Sequence, residues 1–133
     1  MRNRNMYRYK ITAKEEDLMN IFWSRNNPLT SRDIIYIFAD KGWNSTCIYT
    51  LLRSLLEKEL IAECGLVQYN TQYARQFVSA ITKEEFYIRL AFDNGVEPIS
   101  FVNELALYFL RINPGNRREI IDIISRNTNG KNR

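Results

Sequence analysis

A chain of 133 residues with 19 basic and 15 acidic side chains is long enough for one domain, or for a small domain with an appendage. It contains no histidine, which removes Ser-His-Asp and Cys-His catalysis and the commonest transition-metal ligand. The two cysteines, Cys47 and Cys64, match no zinc spacing and are predicted to be reduced thiols, with a disulfide as the alternative. We therefore expect no enzyme active site, no metal site and no cofactor.

The net charge of +4 is concentrated at the N-terminus. Residues 1–10 carry four basic side chains and no acidic one, whereas the other 15 basic residues balance the 15 acidic residues. A basic arm on a near-neutral body suits a polyanionic partner, and the alternative is a disordered, solubilising terminus. No stretch approaches the ~18 consecutive apolar residues that cross a bilayer, and no apolar signal segment follows the arm. The expected location is cytoplasmic.

Three short helices are predicted after the arm. Thr12 and Glu15 have the spacing of a capping box, and an apolar stripe at helical period follows until the break at residues 26–28. A second helix is capped by Thr30 or Ser31 and ends at Gly42. A third helix begins at residue 44 or 45 and continues to about residue 59, with its apolar face centred on Ile48, Leu51, Leu52 and Leu55.

From residue 60 onward the apolar residues no longer recur at helical spacing. Residues 60–81 are rich in aromatic and β-branched side chains and are interrupted by the polar run 68–72, which predicts a β-hairpin. Three further helices are predicted in residues 82–126, and residues 127–133 form an expected disordered tail. The helix after Pro98 has almost no polar face, and about 45 residues are too few to bury it alone. The surplus apolar surface must meet either another chain or the first unit. We interpret 82–126 as a dimerisation region, the simpler of the two, with these contact residues: Ile99, Phe101, Val102, Leu105, Tyr108, Phe109, Ile120 and Ile124.

Three helices followed by a hairpin is the element order of a winged helix-turn-helix. The predicted fold class is therefore mainly α with a small β-hairpin: a winged helix-turn-helix domain at 11–81, preceded by the arm and followed by C-terminal helices. In such domains the second helix of the motif lies in the DNA major groove. On the third helix, the side chains that point away from Ile48 are Thr46, Tyr49, Thr50 and Arg53.

These four side chains suit the edges of bases, because threonine can meet them through its hydroxyl or methyl group and arginine can pair with guanine. A plain solvated face is the alternative reading of the same periodicity. The expected phosphate contacts are the basic side chains of the arm, the second helix and the wing, together with one wing tyrosine: Arg2, Arg4, Arg8, Lys10, Arg32, Arg75 and Tyr73.

Residues 42–61, GWNSTCIYTLLRSLLEKELI, resemble the recognition-helix segment of the penicillinase repressor family, the BlaI/MecI/CopY-like regulators. That family's pattern is roughly Gly-Trp-Ser-x-x-Thr-Val-x-Thr-Leu-Leu-x-Arg-Leu-x-x-Lys-Gly-Leu. Residues 11–35 are similar to the family's opening, and ITKEEFY at 81–87 is similar to its stretch after the wing. Cys47 stands where threonine is common, and the arginine of the pattern is displaced by one position to Arg53.

The resemblance implies a homodimeric transcriptional repressor that binds a palindromic operator in double-stranded DNA, with the C-terminal helices forming the dimer. It also implies a membrane-bound sensor protease as a partner, although Asn103, near the place of the cleaved Asn-Phe bond, is followed by Glu104. The chain lacks the C-terminal cysteines through which other members sense copper. An alternative of a different class is a winged-helix module that binds protein rather than DNA.

Overall fold

The computed structural model describes residues 8–112 and 114–129. The arm residues Arg2 and Arg4 and the tail residues 130–133 therefore lie outside the described part of the chain. The chain divides into two compact units between Asp93 and Asn94. The first unit is built in chain order from α1 (Ala13–Ser24), β1 (Leu29–Thr30), α2 (Ser31–Ile37), α3 (Ser45–Glu57), β2 (Ile61–Tyr69), β3 (Gln72–Ser79) and α4 (Lys83–Asp93). The second contains α5 (Pro98–Ile112) and α6 (Arg117–Asn129), joined by a 3₁₀ turn, Pro114–Asn116.

Side-chain caps set where the first three helices begin. Thr12 and Glu15 form a reciprocal capping box on α1, and Thr30 and Asp33 form another on α2. The Asn44 side chain accepts a hydrogen bond from the Cys47 N–H, which makes Asn44 the N-cap of α3. Each cap satisfies a backbone donor that a helix leaves without an internal partner. The predicted starts of the three helices are confirmed.

The wing is the hairpin β2–β3, which turns at Asn70 and Thr71. Asn70 takes the left-handed φ of 55° that asparagine tolerates. The sequence predicts these two strands but not β1, a two-residue strand too short to show a period. β1 pairs with β3, with Leu29 opposite Phe77, so the sheet order is β1-β3-β2 and every pair is antiparallel. This third strand ties the wing to the start of α2.

The core of the first unit forms where α1, α2 and α3 meet the sheet. Leu18, Met19, Ile34, Ile48 and Leu55 are fully buried. α3 contributes four buried apolar side chains to this core, at about 1.5–3 kcal/mol for each full burial. This burial fixes which face of α3 remains outside.

The first unit extends beyond residue 81, where the sequence places the domain boundary. Phe86 of α4 is buried and packs edge-on against Tyr9, with ring centroids 5.7 Å apart, and against Trp23 at 5.3 Å. The Trp23 indole N–H donates to the Ile81 carbonyl at 2.9 Å, which holds the chain entering α4 against α1. Tyr9 is buried as well, so the end of the predicted arm is part of the core. α4 completes the winged-helix unit.

In the second unit, α6 continues to Asn129. The sequence places the start of a disordered tail at residue 127, and residues 127–129 are instead helical. The Thr128 hydroxyl donates to the Ile124 carbonyl at 2.8 Å, within the last turn. Such bonding to the i−4 carbonyl lets a threonine remain in a helix, and composition does not reveal it.

A buried carboxylate joins α1 to α3. Glu15 is 2% exposed, and its side chain accepts from the Thr12 N–H at 2.8 Å, the Ser54 hydroxyl at 2.5 Å and the Lys58 ammonium at 3.0 Å. Burial raises the pKa of Glu15, but hydrogen bonds from Ser54, Thr12 and Lys58 outweigh that effect, so its pKa lies below the ordinary value. The charged form is therefore the one that stabilises the fold.

We expect Glu15→Gln to reduce the free energy of unfolding at pH 7 by about 1–3 kcal/mol, because Gln keeps the helix cap but loses the charge. The stabilisation by a carboxylate of lowered pKa is complete above the unfolded-state pKa of about 4.3 and disappears as the pH falls through the lower folded-state value. Urea unfolding of both proteins between pH 7 and 3 should show the difference shrinking below about pH 4.3. Glu85→Gln, at an exposed pair with Arg89, is the control. A pH-independent difference would contradict the expectation.

α3 ends in a Schellman motif. The Leu60 N–H donates to the Leu55 carbonyl and the Glu59 N–H to the Leu56 carbonyl, both at 3.0 Å. Glu59 takes a φ of 60°, which disfavours residues with a Cβ, and the family pattern has glycine at this position. Glu59 also lies 3.3 Å from the Arg8 guanidinium in an ion pair whose glutamate is exposed and whose arginine is partly buried.

Glu59→Gly should raise the free energy of unfolding by about 0.5–1 kcal/mol, because relief of the left-handed strain exceeds the loss of an ion pair whose carboxylate is exposed to water. Glu59→Gln keeps the strain and removes only the charge, so it should lower stability by at most about 0.5 kcal/mol. Urea midpoints of the three proteins check this. A less stable glycine variant would show that the ion pair outweighs the strain.

Candidate nucleic-acid interface

The outer face of α3 carries the predicted base-reading residues. Thr46, Tyr49, Thr50 and Arg53 are all exposed, with half of the Tyr49 side chain accessible. The Thr50 hydroxyl donates to the Thr46 carbonyl at 2.9 Å, so its oxygen lone pairs and its methyl group remain for a ligand. We call these four residues the recognition face.

A cleft of about 580 Å³ lies between the recognition face, the first turn of α2 and the wing. Tyr49 and Arg53 line it from α3, Arg32 from α2, and Tyr73 and Arg75 from β3. The fold thus brings five predicted contact residues, from three elements, to one place. We call this the arginine cleft. Thr46 and Thr50 lie on α3 outside its lining.

The arginine cleft is cationic and aromatic. Its lining holds three arginines and, within the described part of the chain, no aspartate or glutamate. The Arg32 guanidinium lies 4.3 Å from the centroid of the Tyr69 ring, a cation–π contact that joins α2 to the wing. Arg75 is 3.3 Å from Glu63 across the hairpin, but both side chains are about half exposed, so the pair is weak. Arginines held in this way present N–H donors suited to phosphate or guanine.

Two of the predicted phosphate contacts lie elsewhere. Arg8 pairs with Glu59 just beyond the C-terminus of α3, and the Lys10 carbonyl accepts from Lys58 at 3.2 Å. α3 has 13 residues and is therefore about 20 Å long, so these groups lie at the opposite end of the helix from Thr46. The structure does not bring them to the arginine cleft, and their contact with phosphate stays a prediction. Arg2 and Arg4 lie outside the described residues.

Sequence reasoning missed the wing residues Tyr69 and Gln72 and the helix residue Ser31, which also line the cleft. Tyr69 gave no local signal, because its role depends on Arg32, 37 positions earlier in the chain. The alternation of side chains along β2 predicts that Tyr69 shares a face with Val67. It does not predict which residues pack against that face.

Two further lysines lie near the N-terminus of α3. Lys14 Nζ is 5.5 Å from the centroid of the Trp43 ring and 3.8 Å from Cys47 Sγ, and Lys41 Nζ is 5.8 Å from the same ring. Trp43 itself stacks on Phe38, with centroids 4.3 Å apart. Lys14 adds positive charge at the end of α3 that carries Thr46, whereas the charge of Lys41 is partly offset by Asp17, 3.4 Å away.

The predicted dimerisation residues are largely solvent-exposed in the chain as described. Ile99 is 76% exposed and Val102 59%, and the other exposed members of the set are Leu105, Tyr108, Phe109 and Ile124. Phe101 and Ile120 are partly buried. Apolar faces of this extent are rare on monomers, and the assignment of these residues to a dimer contact stays a prediction.

Within 8–112 and 114–129, no three or more His, Cys, Asp or Glu side chains cluster as metal ligands, and both cysteines are free thiols. No helix in the same ranges has the length and apolarity needed to span a bilayer.

Comparison with known proteins identifies one family. The family model of the penicillinase repressor matches residues 11–93, more than half of the chain. The match starts just before the cap of α1 and ends with α4, so it covers the helices, the wing and the arginine cleft. No curated protein sequence matches the chain significantly. The family name denotes a transcriptional regulator rather than an enzyme. The chain therefore belongs to the penicillinase repressor family of DNA-binding transcriptional repressors.

Proposed function

We propose that this protein is a transcriptional repressor that binds a palindromic operator in duplex DNA as a homodimer. The observation that carries the proposal is the arginine cleft, in which the recognition helix, the start of α2 and the wing present three arginines to one ligand. DNA supplies closely spaced phosphates beside readable base edges, and this combination matches the cleft.

The recognition face suits a major groove. An α-helix with side chains is about 10–12 Å across, and the groove is about 12 Å wide. With α3 in the groove, Thr46, Tyr49 and Thr50 meet base edges, and Arg53 reaches a guanine or a flanking phosphate. Arg32 and Arg75 line the same cleft as Arg53 and contact the phosphates, with the Tyr73 hydroxyl as a further donor from the wing.

The homodimer rests on the exposed apolar faces of α5 and α6. Four exposed apolar residues recur at helical spacing along α5: Ile99, Val102, Leu105 and Phe109. A second copy of the chain offers the same apolar face and would cover it in a two-fold arrangement. We propose no protease cleavage at Asn103, because Glu104 rather than Phe follows it.

Selection of duplexes from a random-sequence library should yield a two-fold site, and binding should weaken steeply as salt rises.

Arg53→Ala should reduce affinity for the selected duplex by about 1–3 kcal/mol without changing the melting temperature. Arg25→Ala is the matched control, since Arg25 is exposed at the end of α1 and lies outside the cleft. Equal losses in both variants, or enrichment of no sequence, would contradict the proposal and favour a protein-binding module.

Leu105→Asp should convert the dimer to a monomer, because it places a charge within the apolar face of α5. Asn103→Asp adds the same charge at an exposed polar position of the same helix and should leave the dimer intact. Sedimentation at micromolar concentration distinguishes the two variants. A monomeric wild-type protein, or an unaffected Leu105→Asp dimer, would contradict the assignment of this face.

A further inference from the structure

The buried carboxylate of Glu15 lies outside the arginine cleft, yet two of its partners come from the recognition helix and its C-cap. Ser54 lies in the last turn of α3 and Lys58, four residues later, is the C-cap, so the two side chains project from one side of the helix. Ser54 Oγ donates to one carboxylate oxygen of Glu15, and Lys58 Nζ contacts both, at 3.0 and 3.1 Å. The carboxylate is fixed in turn by the Thr12 N–H within the capping box of α1.

Stability alone does not explain this arrangement. A buried ion pair costs desolvation energy and can often be replaced by apolar groups with no loss of stability. The ion pair and its hydrogen bonds can instead restrict how α3 is oriented against α1. The apolar contacts of Ile48 and Leu55 are not directional, so by themselves they allow α3 to roll or slide against α1. Hydrogen bonds weaken steeply with angle and distance, so the contacts of Ser54 and Lys58 restrict both movements.

Small rotations of α3 matter at the recognition face. A side chain lies about 5–6 Å from the helix axis, so a rotation of 20° moves it by about 2 Å. Binding sites need their contact groups held within about 0.5 Å and 10–20°. Arg53 directly precedes Ser54 in the chain. If the contact of Ser54 allows α3 to rotate about its axis, the guanidinium of Arg53 moves with the helix.

We propose that Glu15 is a positioning residue for sequence-specific DNA recognition, setting the rotation of α3 through Ser54 and Lys58. The inference rests on the proposed DNA-binding function. In this role the Glu15 carboxylate affects which DNA sequence the protein prefers, and not how tightly it binds DNA in general. Contacts with phosphate tolerate small displacements better than paired contacts with a base edge, so only discrimination should suffer.

The test compares binding of two probes at fixed salt: the duplex selected by the wild-type protein and a scrambled duplex of equal length. Melting temperatures are measured beside each titration. The informative variant is Glu15→Gln/Lys58→Met. It keeps the cap of α1 and leaves no buried charge unpaired, so it should melt closer to the wild type than Lys58→Met does. Its preference for the selected duplex should nevertheless fall about tenfold, as for one lost base contact.

Ser54→Ala gives a second measurement in a variant that removes one hydroxyl and should fold readily. We expect a several-fold loss of discrimination with little change in binding to the scrambled duplex. Glu85→Gln, which removes a charge from the exposed pair on α4, should change neither quantity. If both the double variant and Ser54→Ala discriminate as well as the wild type, the positioning role is overturned. A wild-type protein that prefers no sequence would overturn the proposed function itself, which is a different result.

Discussion

The burial of one side of α3 organises the first unit. Ile48, Leu51, Leu52 and Leu55 must leave water, and they do so against α1, α2 and the sheet. Because an α-helix cannot bury one side without presenting the other, this packing forces Tyr49 and Arg53 outward. The recognition face therefore results from the same burial that stabilises the domain.

The polar contacts add directional restraints to the apolar packing. Glu15 binds the C-terminal half of α3 to α1, and the Schellman motif turns the chain back into β2 at Glu59. The wing then returns to the helices through two kinds of contact, the pairing of Leu29 with Phe77 and the stacking of Arg32 on Tyr69. The geometry of the arginine cleft therefore depends on contacts among several elements of the first unit.

The second unit follows a different physical rule. The exposed side chains of α5 include many large apolar groups, and α6 carries exposed isoleucines on a helix that is otherwise polar. A unit of this size buries little surface by itself. Under the proposed homodimer, the stability of this unit depends on protein concentration. In the first unit, by contrast, the described residues form an apolar core of their own.

Features that depend on neighbours within a few positions could be predicted from the residues alone. The caps at Thr12, Thr30 and Asn44 act over three residues, the apolar face of α3 repeats every turn, and the hairpin turns at a polar run. Contacts between residues far apart in the chain became visible only in the folded structure. It paired β1 with β3, placed Phe86 in the core of the first unit, and set Arg8 at the far end of α3. It also joined Tyr69 to Arg32 and Glu15 to Ser54, because such contacts arise from packing and leave no periodic trace in the sequence.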